Sequence, residues 1–309
     1  MKKLYLFLPL LCLVPAACST SVVNEPETET PAISFRAPQA ETRAVVDGTT
    51  LPGDFLVWGG YDGDATRVFD GTTVYSSGWD YRDGTRYWTE GKLYDFYAVY
   101  PKELPTGSTA SVSEEGTITV SGFDCSKTGT DAVDLMTATA PNVSADKMIQ
   151  DDSAVELTFQ HELARVKFIV VSEGDTITIT DAKLYGISHA GDLNGSTWSR
   201  GATSLSDNPS FKTESLSITD TDEHLLFGGD LLLIPQDLTN AATFVFTYQY
   251  VGKTETHSVN STLSTVGTVT AWDAGTSYSY RISIPQQPVD VTLTVTVDDW
   301  IEENFTVEW

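Results

Sequence analysis

Across residues 289–309 every apolar residue except Trp300 falls at an odd number: Val289, Val291, Leu293, Val295, Val297, Ile301, Phe305, Val307 and Trp309. The even positions hold Asp290, Thr292, Thr294, Thr296, Asp298, Glu302, Asn304, Thr306 and Glu308. Period-two alternation places the apolar side chains on one face of a β-strand. A single strand of this length would extend roughly 70 Å at about 3.3 Å per residue, against a usual length of about 5–6 residues. It therefore bends near Asp298-Asp299, or its final part leaves the domain. The sequence ends on Trp309 with no turn residue to bring back a covering strand. The expectation is a strand whose end is meant for another molecule.

The preceding pattern is also one of short strands. Residues 55–58 read as a strand closed by Gly59-Gly60. Residues 66–69 and 72–75 flank Asp70-Gly71, a two-residue hairpin signal. Residues 93–100 predict a central strand ended by Pro101, and 117–120 and 134–138 are further short apolar pieces. Between residues 155 and 171 the parity changes: Val155, Leu157, Phe159 and Leu163 are odd, whereas Val166, Phe168 and Val170 are even. The buried face flips there, through a bulge, a break or a hand-over to another sheet. This places a domain boundary near Gln160, giving domains at 44–159 and 160–309.

The second half predicts strands at 176–180, 183–187, 231–234, 243–250 and 278–284. Residues 289–297 could supply its last strand, and the Ser-, Thr- and Asp-rich stretch 201–224 reads as a long loop. No helix longer than about two turns is indicated. The class is all-β, with two sandwich domains.

At the N-terminus, Lys2-Lys3 and the apolar run 4–14 predict a signal peptide, residues 1–17, too short to span a bilayer. It ends Val14-Pro15-Ala16-Ala17-Cys18, which resembles a bacterial lipobox with Cys18 as the lipidated residue. Cleavage after Ala17 without lipidation is the alternative. Residues 19–30 are rich in Thr, Glu and Pro, a tether. Residues 31–38 then form a short strand-like piece with Ile33 and Phe35 on one face. Arg43-Ala44 follows as an exposed basic site for a trypsin-like protease, with Arg36 as a second possible cut.

Composition supports β structure: 13 Tyr, 13 Phe, 7 Trp and only 3 Met, with 40% hydrophobic residues, enough for real cores. The formal net charge of −25 repels nucleic acid and anionic membrane. The same charge keeps an exported protein soluble, and self-assembly against it should be helped by salt. Of the three cysteines, Cys12 and Cys18 lie in the leader, leaving Cys125 alone and no internal disulfide possible.

Sites for chemistry are sparse. His161-Glu162 begins like a zinc-protease helix, but Arg165 stands where the second histidine belongs; a hydrogen-bonded histidine at the domain junction is the plainer reading. His189, His224 and His257 lack ligand spacing. Asp62-Gly63-Asp64 and Asp192-Leu193-Asn194-Gly195 are fragments of a calcium loop without its full ligand series, better explained as turns. Cys125 has no evident histidine partner. No phosphate loop or nucleophile elbow is present. The expectation is no catalytic residues, no metal and no cofactor: not an enzyme.

Several landmarks in order resemble the fimbrillin-like subunits of type V pili, the Mfa-like and FimA-like fimbrillins. They are the lipobox at Cys18, Arg43 before the domain, and Leu93-Tyr-Asp-Phe-Tyr-Ala-Val-Tyr-Pro101. Further on come Asp134-Leu-Met-Thr-Ala138, Leu157-Thr-Phe-Gln-His-Glu-Leu-Ala-Arg-Val-Lys-Phe168, Leu232-Leu-Ile-Pro-Gln236, Trp272-Asp-Ala-Gly-Thr-Ser-Tyr-Ser-Tyr280 and Val297-Asp-Asp-Trp300. Pro15 departs from the usual leucine three places before the lipidated cysteine. The resemblance implies two tandem transthyretin-like β-sandwich domains in a structural pilus subunit with a role in cell adhesion. It further implies export as an outer-membrane lipoprotein carrying palmitate and cleavage between Arg43 and Ala44 by a trypsin-like protease. The first strand, with Ile33 and Phe35, would then be lost. The vacated groove would receive the C-terminal strand of a neighbouring subunit, drawn from Val291, Leu293, Val295, Val297, Ile301, Phe305, Val307 and Trp309. The partners implied are other pilus subunits, the same or different, and the final location is an extracellular fimbrium.

The physics of that scheme is coherent. A groove edge offers unpaired backbone groups and apolar pockets, and head-to-tail contact between different surfaces gives a fibre. Ile301, Phe305, Val307 and Trp309 supply roughly 6–12 kcal/mol at about 1.5–3 kcal/mol per side chain. Association costs an estimated ~4–15 kcal/mol. Backbone pairing, and some of Val291 to Val297, must then contribute. A surface-anchored glycan-binding lipoprotein is the rival reading, with Trp79, Tyr81, Tyr87 and Trp88 as a stacking platform; the plainer role for these rings is sandwich core.

Overall fold

The computed structural model describes residues 30–36, 51–201, 209–213, 215–239, 241–286 and 291–300. Within them the chain is all-β, with one α-helix of seven residues.

In chain order the first half gives β1 (Phe35–Arg36), β2 (Phe55–Tyr61), β3 (Phe69–Val74), β4 (Leu93–Tyr100), β5 (Thr109–Val112), β6 (Ile118–Asp124) and β7 (Met136–Ser144). Helix α1 (Ala145–Asp151) follows, its first turn capped by the Ser144 hydroxyl accepting from the Lys147 N–H. Then come β8 (Val155–Glu156) and β9 (Gln160–His161). Strands β3-β2-β4-β7-β9 form one sheet, and β1 pairs with β8 in parallel. On β4 the alternation Tyr94, Phe96, Ala98 turns one face into a core that also holds Phe55, Val57, Phe69, Trp88, Leu157 and Phe159.

The second half adds β10 (Ala164–Ser172), β11 (Ile177–Tyr185), β12 (Ala190–Asn194), β13 (Thr197–Arg200), β14 (Phe211–Thr213), β15 (Leu216–Ile218), β16 (His224–Leu225) and β17 (Leu231–Leu233). It closes with β18 (Gln236–Asp237), β19 (Thr243–Tyr250), β20 (His257–Thr262), β21 (Ala271–Trp272), β22 (Thr276–Ile284) and β23 (Thr292–Asp299). One sheet runs β16-β10-β22-β23 and another β14-β11-β19-β20. Between them stack Phe168, Phe244 and Tyr280, with centroids 4.9 Å apart in the Phe168–Phe244 and Phe168–Tyr280 pairs. A third sheet, β13-β12-β6-β5, draws strands from both halves.

The parity change is realised as a break. Val155, Leu157 and Phe159 belong to the first core and Leu163 onward to the second, which also takes in Trp58, Val99, Val120, Phe123 and Leu135 from the first half. Buried positions switch from odd to even between Leu163 and Ala164, where β10 begins.

Several local expectations are overturned. Gly59-Gly60 does not close a strand: β2 runs through it, because Phe96 packs so tightly over Gly59 that a Cβ would overlap its ring. Asp70-Gly71 is not a hairpin turn but lies inside β3, opposite a register shift between Val57 and Gly59. Gly71 sits at φ +67 beside the Trp58 indole, so a glycine read as a turn is a bulge. The turn itself falls at Asp62-Gly63, both left-handed. Predicted strands 176–180 and 183–187 are one strand, β11, with an irregularity between Ile179 and Asp181. The predicted loop 201–224 contains β14 and β15, which pair with β11. Its apolar residues Phe211 and Ile218 are buried, which outweighs the polar composition around them.

Candidate functional site

The predicted site residues fall into two places. Ile33 and Phe35 are seated in the first core, at 1% and 3% exposure. The Phe35 ring is met edge-on by Phe69 at 5.2 Å, Phe96 at 5.6 Å and Tyr81 at 6.2 Å. The segment lies between two backbones. On one side Ala32 bridges Tyr87 and the Ile33 N–H donates to the Arg86 carbonyl at 2.8 Å. On the other, Val155 N–H donates to the Ser34 carbonyl at 2.8 Å and Leu157 N–H to the Arg36 carbonyl at 3.2 Å. Arg36 also reaches Glu156, 3.3 Å away, in an exposed ion pair.

The Ile33 carbonyl accepts from the Tyr81 hydroxyl at 2.9 Å, which in turn accepts from the Arg86 N–H at 3.1 Å. Burial pushes the Tyr81 phenol above its ordinary value. Behind it the Arg86 guanidinium grips Asp83 through two hydrogen bonds of 2.8 and 2.9 Å, and its Nε donates to the Val68 carbonyl at 2.7 Å. The hydrogen bonds from Arg86 hold the Asp83 carboxyl below the usual carboxylate range. The guanidinium also lies over the Phe69 ring at 4.7 Å. Tyr81 and Arg86 were not legible as groove residues; the only hint is Asp83 and Arg86 at a turn-like spacing of three.

Leu293, Val295 and Val297 lie along the last described strand, and Val291 immediately precedes it. β23 pairs antiparallel with β22 from Thr276↔Asp299 to Ser283↔Thr292, at the outer edge of its sheet. Val291, Leu293 and Val295 are partly buried against the second core, while Val297 is 48% exposed. The apolar face predicted from alternation exists, but it is only half covered.

Trp300, the exception to the alternation, is buried at 2% exposure. Its ring stacks on His161 at 4.0 Å and 11°, and its backbone N–H donates to the Gly275 carbonyl at 2.9 Å. His161 is hydrogen-bonded through Nδ1 to Asp134 at 3.1 Å, the hydrogen-bonded histidine expected in place of a metal ligand. Beside it the Trp198 Nε1–H donates to the Glu162 carbonyl at 3.0 Å, and Thr137 donates to the Glu162 carboxylate. Burial raises the Glu162 pKa.

Cys18, Arg43, Ala44, Ile301, Phe305, Val307 and Trp309 lie outside the described residues. The four aromatics of the glycan reading do not share an exposed surface. Trp88 is buried, Trp79 packs against Phe55, Tyr81 lines the groove, and Tyr87 alone is well exposed, at 58%. The calcium-loop fragments resolve into local structure: Asp62 pairs with Lys92 at 2.7 Å, and Asp192 accepts from the Gly122 N–H at 2.6 Å. Cys125 is buried, which pushes its thiol up and away from reactivity. Among the described residues no three His, Cys, Asp or Glu side chains converge as a metal site.

Comparison with known proteins agrees with this architecture. A fimbrial protein from Bacteroides vulgatus is similar in structure, with 18% identity and a TM-score of 0.58 over 87% of this chain and 99% of that one. A protein from Bacteroides uniformis, provisionally assigned to cell adhesion, matches at 16% identity and a TM-score of 0.54 over 88% and 99%. The tip fimbrial protein Mfa3 of Porphyromonas gingivalis, C-terminally truncated, aligns at 10% identity and a TM-score of 0.41 over 87% and 98%. No curated protein sequence matches. The family model described as fimbrillin-like matches residues 42–300, most of the sequence, and the chain belongs to the fimbrillin-like family.

Proposed function

We propose that this chain is a structural pilus subunit that polymerises by exchanging its first strand for the tail of a neighbour. The observation that carries the reading is the seat of Ile33 and Phe35. They precede the expected cut at Arg43-Ala44, yet fill the first core as fully as its own strands do. β1 is joined to β8 over two residues and, on its other side, only through the Ala32–Tyr87 bridge, the Ile33–Arg86 bond and Tyr81, so once cut from the chain it has a short backbone seat to hold it. Its loss would open apolar sockets and unpaired N–H groups at Val155 and Leu157, a strong demand for another strand.

The full scheme is export as a lipoprotein through Cys18, residence at the outer membrane, cleavage after Arg43, and release into an extracellular fimbrium. Arg36 is the poorer cut, because it is held in β1 by its carbonyl and by Glu156. The switch of cores between Phe159 and Leu163 supports two tandem transthyretin-like domains, 44–159 and 160–309, with the β5–β6 hairpin and the side chains of Trp58, Val99 and Leu135 packed across to the second. The donor proper is residues 301–309. Val291 to Val297 join it only if β23 peels from β22, which would give up pairing along eight residues.

Treating the full-length chain with trypsin and viewing it by negative-stain microscopy tests this. Fibres are expected, favoured by salt because each subunit carries a net charge of −25, and absent when residues 301–309 are deleted. Monomers that bind polysaccharide before and after trypsin would favour the glycan-binding alternative.

A further inference from the structure

We propose that the ring-lined socket around Phe35 sets the register of the strand that fills the groove, and that this register brings Val307 and Trp309 of a second copy to the places of Ile33 and Phe35. The inference rests on the strand exchange proposed above and specifies its geometry. Backbone ladders alone fix register weakly, since every second residue offers the same pattern of donors and acceptors. The groove adds side-chain sockets, which do not repeat. The Tyr81 hydroxyl, 2.9 Å from the Ile33 carbonyl, meets a backbone carbonyl in either register, so it holds the occupant without choosing its register. Its orientation is fixed from behind by the Arg86 N–H at 3.1 Å, and Arg86 is itself anchored on Asp83 and the Val68 carbonyl.

The socket just beyond that point is made of rings. Phe69, Tyr81 and Phe96 surround Phe35 with interplanar angles of 73°, 64° and 82°. Such edge-on contacts favour an aromatic occupant, and a smaller residue would leave a void. The tail offers two pairs of apolar residues at the right spacing, Phe305 with Val307 and Val307 with Trp309. The first puts valine in the ring-lined socket. It also puts Glu308 where Arg36 now lies, against Glu156, replacing an attraction at 3.3 Å with like charges. The second puts β-branched Val307 in place of Ile33 and the Trp309 ring in place of Phe35. Glu308 then takes the exposed position of Ser34.

Cysteine pairs distinguish the two registers. Phe35 pairs with Val155 and Arg36 with Glu156, so the residue at the Ser34 position lies beside Ala154. In trypsin-treated chains, Ala154→Cys with Glu308→Cys is expected to give a covalent ladder on oxidation, and Glu156→Cys with Glu308→Cys is not; buried Cys125 does not compete. A ladder from the second pair instead, or fibres that cross-link with neither, overturns the register. Fibres that form without residues 301–309 overturn the exchange itself, a separate result. Tyr81→Phe keeps the ring and removes the hydroxyl. It should weaken the first ladder by about two- to tenfold, the worth of one hydrogen bond, without opening the second. A second-pair ladder appearing in this variant would mean that the hydroxyl, and not the socket, selects the register.

Discussion

The two ends of the described chain are held in opposite ways. β1 pairs with its neighbour over two residues, but sinks Ile33 and Phe35 deep among aromatic rings. β23 pairs over eight residues, but leaves its apolar face half covered and Val297 largely in solvent. One segment is held by side chains in sockets, the other by its backbone. Sockets persist when their occupant departs and can be refilled by any strand with suitable side chains. A ladder eight residues long has to be unmade bond by bond. The first arrangement suits replacement and the second suits permanence.

That contrast can be broken by substitution. Phe35→Ala should destabilise the uncut chain by about 3–5 kcal/mol, read from urea unfolding, because it empties the ring-lined socket. The trypsin-cut protein, freed of its first strand, should unfold as the parent does; a loss in both would mean the sockets do not outlast β1. Leu293→Ala should cost less, about 1–2 kcal/mol, because that side chain is only partly covered, and it should cost the same before and after cutting.

Glu162, at the junction where Trp300 meets His161, offers a smaller and pH-dependent effect. Burial raises its pKa, so the folded state holds the proton more tightly than the unfolded one. Its contribution to stability is greatest below the ordinary carboxylate range and falls as pH rises through the raised value. Glu162→Gln should therefore melt higher than the parent near pH 7 and together with it near pH 3. A gap that instead widens on acidification would contradict the burial argument. Least affected should be Val297→Ala, within about 0.5 kcal/mol, since an exposed side chain on an edge strand has little to lose.

Much of this was legible in the alternation. β19 falls on residues 243–250 as read, and β4 on 93–100, because each has one buried face and no glycine. The parity flip near residue 160 marked where neighbouring side chains pass from one core to the other, but not that Trp58, Val99, Phe123 and Leu135 already lie in the second. Glycines were misread where packing from another layer, rather than a turn, requires them, as Phe96 does at Gly59. The strands within 201–224 were missed because their pairing is with distant β11. The groove was half legible: Ile33 and Phe35 stand out by spacing, but Tyr81 and Arg86 acquire their roles only from a strand more than forty residues upstream. Trp300 broke the alternation for a reason outside its own strand, namely the His161 ring.

The seat of Trp300 has a mechanical consequence. In the proposed fibre, joined through residues 301–309, tension would enter each subunit at that buried indole and continue into β23. The pull then runs along the strand, across the direction of its hydrogen bonds to β22, so the antiparallel ladder is loaded in shear and its bonds share the force together. The edge strand that looks least protected by its side chains is oriented to carry a load.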